Sequence, residues 1–140
     1  MDDTITPLRS LSPQIWVAGG VRPRDIEALK ALGFAWLVNH RPDDEEPGQA
    51  TAEDIARTAE AASMRVTHAP VRGLPDVAAV AATRATLDAL KPDEKALFFC
   101  RSGMRSAAAW AMAERMTGAD PEALRAAAAA AGYDLARLPL

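Results

Sequence analysis

Short apolar runs alternate along this chain with longer stretches of helical spacing. Gln14-Ile15-Trp16-Val17-Ala18 is rich in β-formers and is broken by Gly19-Gly20, which predicts a first strand and a turn. Pro23 is a good first helical residue, Ile26, Leu29 and Leu32 recur at helical spacing, and Gly33 supplies a stop. Phe34 to Asn39 reads as the second strand. The polar segment His40 to Gln49 contains proline and glycine and reads as a loop, after which Thr51, with Asp54 three residues on, caps a helix running to about Ala62. Arg65 to Pro70 is expected to be a third strand, Val71 to Asp76 a second loop, and Val77 to Leu90 a helix rich in alanine and valine. The apolar run Ala96-Leu97-Phe98-Phe99 ends on Cys100. Beyond the loop Arg101 to Arg105, Ser106 to Met116 reads as a helix, and Asp120-Pro121 opens another that stops at Gly132.

This alternation predicts an α/β fold with a central, mostly parallel sheet and helices on both faces. Ligands of such folds bind at the carboxyl ends of the strands. The loops His40 to Gln49, Val71 to Asp76 and Cys100 to Arg105 therefore share one rim. With no internal repeat or linker, the 140 residues read as one domain. A net charge of −3 argues against a polyanion-binding surface, so no nucleic-acid partner is expected. No apolar run reaches the roughly 18 residues that span a bilayer, and Met1-Asp2-Asp3 is acidic where a signal peptide is basic. These features predict a cytoplasmic protein with no membrane partner. One cysteine cannot form an internal disulfide and, with two histidines, is poor material for a zinc site. Neither a metal nor a cofactor is expected.

The chemistry concentrates in Cys100-Arg101-Ser102-Gly103-Met104-Arg105-Ser106, which joins an apolar strand to a helix. Backbone N–H groups of a tight loop and of a helix's first turn converge on one point and attract anions. A thiol at that point, close to Arg105, is favoured as the thiolate and becomes a nucleophile. Gly103 lets the backbone approach a ligand closely, Arg105 offers a bidentate fork to an oxyanion, and Ser106 can hydrogen-bond the sulfur or cap the helix. The competing reading makes Cys100 a small buried hydrophobe. Two arginines, a serine and a glycine directly after it weigh against that.

The loop resembles the six-residue Cys-x4-Arg loop of rhodanese-type sulfurtransferases, which carry a cysteine persulfide. Tyrosine and dual-specificity phosphatases use Cys-x5-Arg, a spacing that here lands on Ser106. Across roughly Ile15 to Trp110 the chain resembles the phosphatase-like domain of the beta-lactamase hydrolase-like proteins, a family often described as sulfur transferases. That resemblance rests on Val38-Asn39-His40-Arg41-Pro42-Asp43-Asp44-Glu45-Glu46-Pro47-Gly48-Gln49, on His68-Ala69-Pro70-Val71, and on the cysteine loop before Trp110. It implies a dual-specificity-phosphatase-like fold with Cys100 as nucleophile and the residues after it as oxyanion cradle.

Two reactions fit such a site. A cysteine phosphatase protonates a poor leaving group with a positioned carboxylic acid, worth about 10² to 10⁴ in rate. In dual-specificity phosphatases that acid follows a segment like Ala69-Pro70-Val71, where this chain has Arg72-Gly73. Asp76 comes a few residues late, Asp43 or Asp44 would have to reach in from the neighbouring loop, and Phe99 stands where those phosphatases have a histidine. Sulfur transfer asks for less acid catalysis, and Arg72, Arg101 and Arg105 suit an anionic sulfur donor, with an external thiol as acceptor. The first expectation is accordingly a Cys100 persulfide sulfurtransferase; the alternative is phosphoester hydrolysis, and a third reading is a non-catalytic anion-binding or scaffold domain. His40 and His68 are expected to be hydrogen-bonded structural residues, Arg41 to support the rim, and Trp16, Trp36 and Trp110 to pack.

Overall fold

A computed structural model describes residues 6–140. Its centre is a five-stranded sheet built from β1 (Arg9–Ser10), β2 (Ile15–Gly19), β3 (Phe34–Asn39), β4 (Arg65–His68) and β5 (Lys95–Cys100), in the order β1-β2-β5-β3-β4. Four strands are parallel, and β1 pairs antiparallel with β2 at one edge. The last of them, β5, is central and nearly all buried, as expected of an apolar run covered on both faces. Helices α1 (Ile26–Ala31) and α2 (Ala52–Ala61) cover one face. There Ile26, Leu29 and Ile55 pack on Ala18, Leu37, Leu97 and Phe99. Helices α3 (Val77–Ala89), α4 (Met104–Arg115) and α5 (Pro121–Ala130) cover the other. Ala107, Trp110, Ala111, Leu124 and Ala128 meet Val17, Val38 and Phe98 on that side.

Local sequence accounts for the ends of these elements, including several that differ from expectation. Thr51, Asp76 and Asp120 cap α2, α3 and α5, each accepting a bond from the N–H three residues on. The third expected strand ends early. Ala69 and Val71 still donate to the carbonyls of Asn39 and His40, but Pro70 between them has no N–H and breaks the ladder. Leu32 is 49% exposed although Ile26 and Leu29 are buried. Each three-residue step falls about 60° short of a full helical turn, so the third member rotates off the core face. The two-residue β1 has no hydrophobic signature and was not expected. The three tryptophans pack: Trp110 is buried, Trp16 stands edge-on to Phe34, and Arg65 lies over the Trp36 ring. Among the described residues no helix is long and apolar enough to cross a membrane.

Candidate active site

Cys100 closes β5, so its loop springs from the middle of the sheet, between the ends of β2 and β3. Backbone bonds fix that position: Gly20 N–H donates to Cys100 O at 2.9 Å and His40 N–H to Phe99 O at 2.8 Å. Two glycines make room for the loop. A Cβ on Gly19 would lie 2.7 Å from the carbonyl oxygen of Arg101. Gly103 has φ of +96°, a conformation costly to residues with a side chain, and a Cβ there would overlap the Tyr133 hydroxyl and lie 2.9 Å from Val17 Cγ1.

This turn lets α4 begin at Met104, two residues earlier than expected, with Gly103 as its N-cap. The Gly103 N–H donates to Cys100 Sγ at 3.1 Å. Cys100 itself is fully buried. The charged form of the nearby Arg105 guanidinium is favoured first by its hydrogen bonds to Glu45, against its partial burial, and then by Cys100. Of the other loop residues, Arg101 is well exposed with Glu46 3.7 Å away, and the Ser102 hydroxyl accepts a long bond from Met104 N. Met104 is half exposed.

Two expected roles change. Arg105 does not point an empty fork into the loop. Its Nη1 donates to Glu45 Oε2 at 2.7 Å and to the Val71 carbonyl at 2.7 Å, and its Nη2 donates to Glu45 Oε1 at 2.8 Å. The bidentate geometry foreseen for an oxyanion ligand is thus formed with a carboxylate of the protein. Ser106 neither caps the helix nor turns to the sulfur, since it lies inside the first turn and pairs with His40 Nδ1 at 2.8 Å. The other imidazole nitrogen meets Thr83 Oγ1 at 2.9 Å. Buried between two hydroxyls and facing Arg105, His40 has its pKa lowered to about 3, first by desolvation and then by the positive charge. His40 is therefore a neutral structural histidine. His68 pairs with the Arg41 carbonyl and is likewise structural.

The rim carboxylates fall into two groups. Asp43 Oδ1 accepts from Ala52 N at the start of α2, and Asp76 Oδ1 from Ala79 N at the start of α3. Both oxygens are engaged as helix caps. Asp44 is exposed, in a left-handed turn with φ of 64°. Glu45 and Glu46 instead hold arginines. Arg41, 8% exposed, donates through Nε to Glu45 Oε1 and through Nη2 to Glu46 Oε1. The Arg105 hydrogen bonds, helped by Arg41, hold the Glu45 carboxyl down at about 2. Arg72 is exposed on the loop before α3. Sequence reasoning missed three members of this constellation. Glu45 stood only as one acidic residue of the His40 to Gln49 loop, Thr83 carried no signal, and Tyr133, the one tyrosine of the chain, lies 33 positions beyond Cys100. No group of three His, Cys, Asp or Glu side chains among the described residues could hold a metal ion.

A central parallel strand that delivers a cysteine into a tight loop, with a helix starting behind it and an arginine beside it, defines the class of cysteine-dependent, phosphatase-like enzymes. The model of the beta-lactamase hydrolase-like protein, phosphatase-like domain, matches residues 7–117, and the chain belongs to that family. A beta-lactamase hydrolase-like protein of Agrobacterium fabrum is 31% identical over 109 residues, 77% of this chain. The matched region spans only 25% of that relative. Among solved structures, a candidate phosphatase of Neisseria meningitidis shares the fold with a TM-score of 0.76 at 24% identity, over 91% of this chain and 89% of that one. TpbA of P. aeruginosa, a cysteine-to-serine variant in complex with phosphotyrosine, gives a TM-score of 0.63 at 21% identity, over 99% of this chain and 81% of that one.

Proposed function

We propose that the protein hydrolyses phosphate monoesters with good leaving groups, aryl phosphates above all, through a covalent intermediate on Cys100. The observation that carries this reading is the Gly103 N–H donating to Cys100 Sγ at 3.1 Å at the head of α4. It places the sulfur where backbone donors and the helix terminus stabilise negative charge, which phosphoryl transfer needs most. The phosphotyrosine held by TpbA suits the same arrangement. The Cys100 sulfur attacks phosphorus, an S–P bond forms, and the ester P–O bond breaks with its electron pair on the departing phenolate, which takes a proton from water. Water then attacks the thiophosphate, releasing inorganic phosphate and the cysteine.

Restriction to good leaving groups follows from the carboxylates. Glu45, at about 2, is ionised at neutral pH and cannot donate a proton, Asp43 and Asp76 each have an oxygen committed to a helix cap, and the exposed Asp44 makes no side-chain hydrogen bond to the cysteine loop. Without a general acid, alkyl phosphates forfeit roughly 10² in rate or more.

The same lack of an acid favours a second reading, sulfur transfer, because a thiolate that takes a sulfane sulfur from an anionic donor expels a group that leaves without protonation. Loop spacing and the lack of an acid speak for that reaction; family and fold relatives support the hydrolytic alternative better. One experiment separates the two. Phosphate release from phosphotyrosine and phosphothreonine peptides is measured beside the intact mass after exposure to thiosulfate or glutathione persulfide. Turnover of phosphotyrosine, at least 10² slower on phosphothreonine and lost in Cys100→Ser, is the expected result. A one-sulfur mass gain at Cys100 with no phosphate release would overturn it in favour of sulfur transfer.

A further inference from the structure

Three depressions flank the cysteine loop, and they differ in character. The one beside Arg41 and Glu46 is lined by charges already engaged with each other. A second, bordered by Arg9, Arg101 and Ser102, is cationic and open. The third, about 240 Å³, is mostly apolar: Leu74, Met104, Leu135 and Leu138 form much of its wall, and the charged Arg105, Asp134 and Arg137 also line it. Its walls come from three separate parts of the chain, the loop before α3, the first turns of α4 and the segment after α5, the last lying beyond the matched family region.

This groove exposes apolar side chains where the fold had no need to. Leu74 is 67% and Met104 39% exposed, two of the five large hydrophobic side chains that reach solvent among the described residues. Leu135 and Leu138 beneath them are buried. Apolar surface left open next to a charged reactive loop is a feature of ligand sites rather than of ordinary surface. The groove is also continuous with the loop, because Met104 and Arg105 belong to both.

We infer that this groove is the subsite for the apolar part of the substrate, which is thereby defined as an amphipathic anion: an oxyanion head on the Cys100 loop and an apolar, ring-sized group lying between Leu74 and Leu138. Arg105 marks the boundary between the two halves. Its guanidinium donates to Glu45 and to the Val71 carbonyl, and the same residue lines the groove. The size fits, since a cavity of about 150 Å³ accepts benzene and this one is larger. The inference rests on Cys100 being the reacting atom, as proposed above.

Thiol alkylation tests the subsite without requiring hydrolysis. The full chain is treated with iodoacetamide and, separately, with N-(2-naphthyl)iodoacetamide, and labelling of Cys100 is followed by intact mass. Both reagents form the same S–C bond and release iodide, so their rate ratio at Cys100, divided by their ratio with free glutathione, reports binding of the naphthyl group. The naphthyl reagent is expected to saturate and to react at least tenfold faster than iodoacetamide. Leu74→Asp should reduce that ratio tenfold while changing the iodoacetamide rate less than twofold. Val77→Asp, at a still more exposed position outside this groove, should leave the ratio unchanged. A ratio indifferent to Leu74→Asp, or reduced as much by Val77→Asp, overturns the subsite and leaves the reading of Cys100 standing. No labelling by either reagent removes both.

Discussion

Two loops meet over the carboxyl end of β5, and they are built on opposite principles. Residues 100–106 form a local device: the key bond, Gly103 N–H to Cys100 Sγ, spans three positions, and one left-handed glycine sets where α4 starts. Residues 40–49 act at a distance. Glu45 reaches Arg105 across 60 positions, and His40 reaches Ser106 across 66 and Thr83 across 43. The first loop presents the sulfur. The second decides what its neighbours can do, by occupying Arg105 with a carboxylate and by filling the space under α4 with a neutral imidazole. A nucleophile's protein environment thus comes from a part of the chain that carries no nucleophile.

Breaking the local device should have the largest effect. Gly103→Ala forces a side chain into a left-handed conformation and against Tyr133, which together should cost on the order of 3 kcal/mol. Chemical denaturation should read this as a lower midpoint, and aryl phosphate turnover should be lost. Adding Tyr133→Ala removes the Tyr133 collision but neither the close contact with Val17 Cγ1 nor the backbone strain, so the double variant, measured against Tyr133→Ala alone, should recover only part of the stability. Recovery of all of it would mean that the glycine is needed for space and not for its φ.

Breaking the distant device should show first in its pH dependence. The pKa of His40 is lowered from 6.5 to about 3 on folding, so between those values the unfolded chain binds the proton and the folded chain does not. Stability contributed by the neutral ring is complete above 6.5 and is lost as pH falls through that window. His40→Gln, which can still bridge two hydroxyls, should cost about 2 kcal/mol at pH 7 and remove the His40 contribution to the slope. An unchanged slope between pH 6.5 and 4.5 would show that the ring titrates freely. Glu45 moves the opposite way in charge but with the same consequence for stability. Lowered from 4.5 to about 2, it stabilises the fold above 4.5 and loses that contribution as pH falls towards 2. Glu45→Gln should cost about 1 kcal/mol at neutral pH and raise KM for aryl phosphate roughly tenfold, because Arg105 loses the partner that orients it. A lower KM would instead make Glu45 a competitor for the substrate's place.

The contrast between the loops also explains what could be read from the sequence. Element order, the parallel sheet and the helices on both faces follow from alternation of short apolar runs with helical spacing. The cysteine loop was legible for the same reason, since its geometry depends on neighbours in sequence. What stayed hidden is pairing across the chain. Nothing local in Asp-Asp-Glu-Glu says that Glu45 will clamp Arg105 while Asp43 caps α2, or that Ser106 will serve His40 instead of the sulfur. The antiparallel β1 was missed because two residues at a sheet edge have no periodicity to detect.

The smallest effect is the most discriminating for the reaction. Asp76 is the carboxylate nearest in sequence to where a phosphatase's general acid would be expected, yet its Oδ1 accepts from Ala79 N at 2.8 Å and caps α3. A cap and an acid respond differently to two substitutions. Asparagine caps about as well as aspartate but cannot give up a proton, so Asp76→Asn should leave both stability and aryl phosphate turnover within about twofold of the parent. Alanine cannot cap, so Asp76→Ala should lower stability by about 1 kcal/mol with turnover again little changed. The two variants are compared by denaturation midpoint and by kcat against pH on phosphotyrosine and phosphothreonine peptides. An acid in disguise would reverse the pattern: Asp76→Asn would keep the midpoint, lose about 10² or more in kcat and flatten the basic limb of the profile. That outcome would give the site the proton donor it otherwise lacks and extend its substrates from aryl to alkyl phosphates.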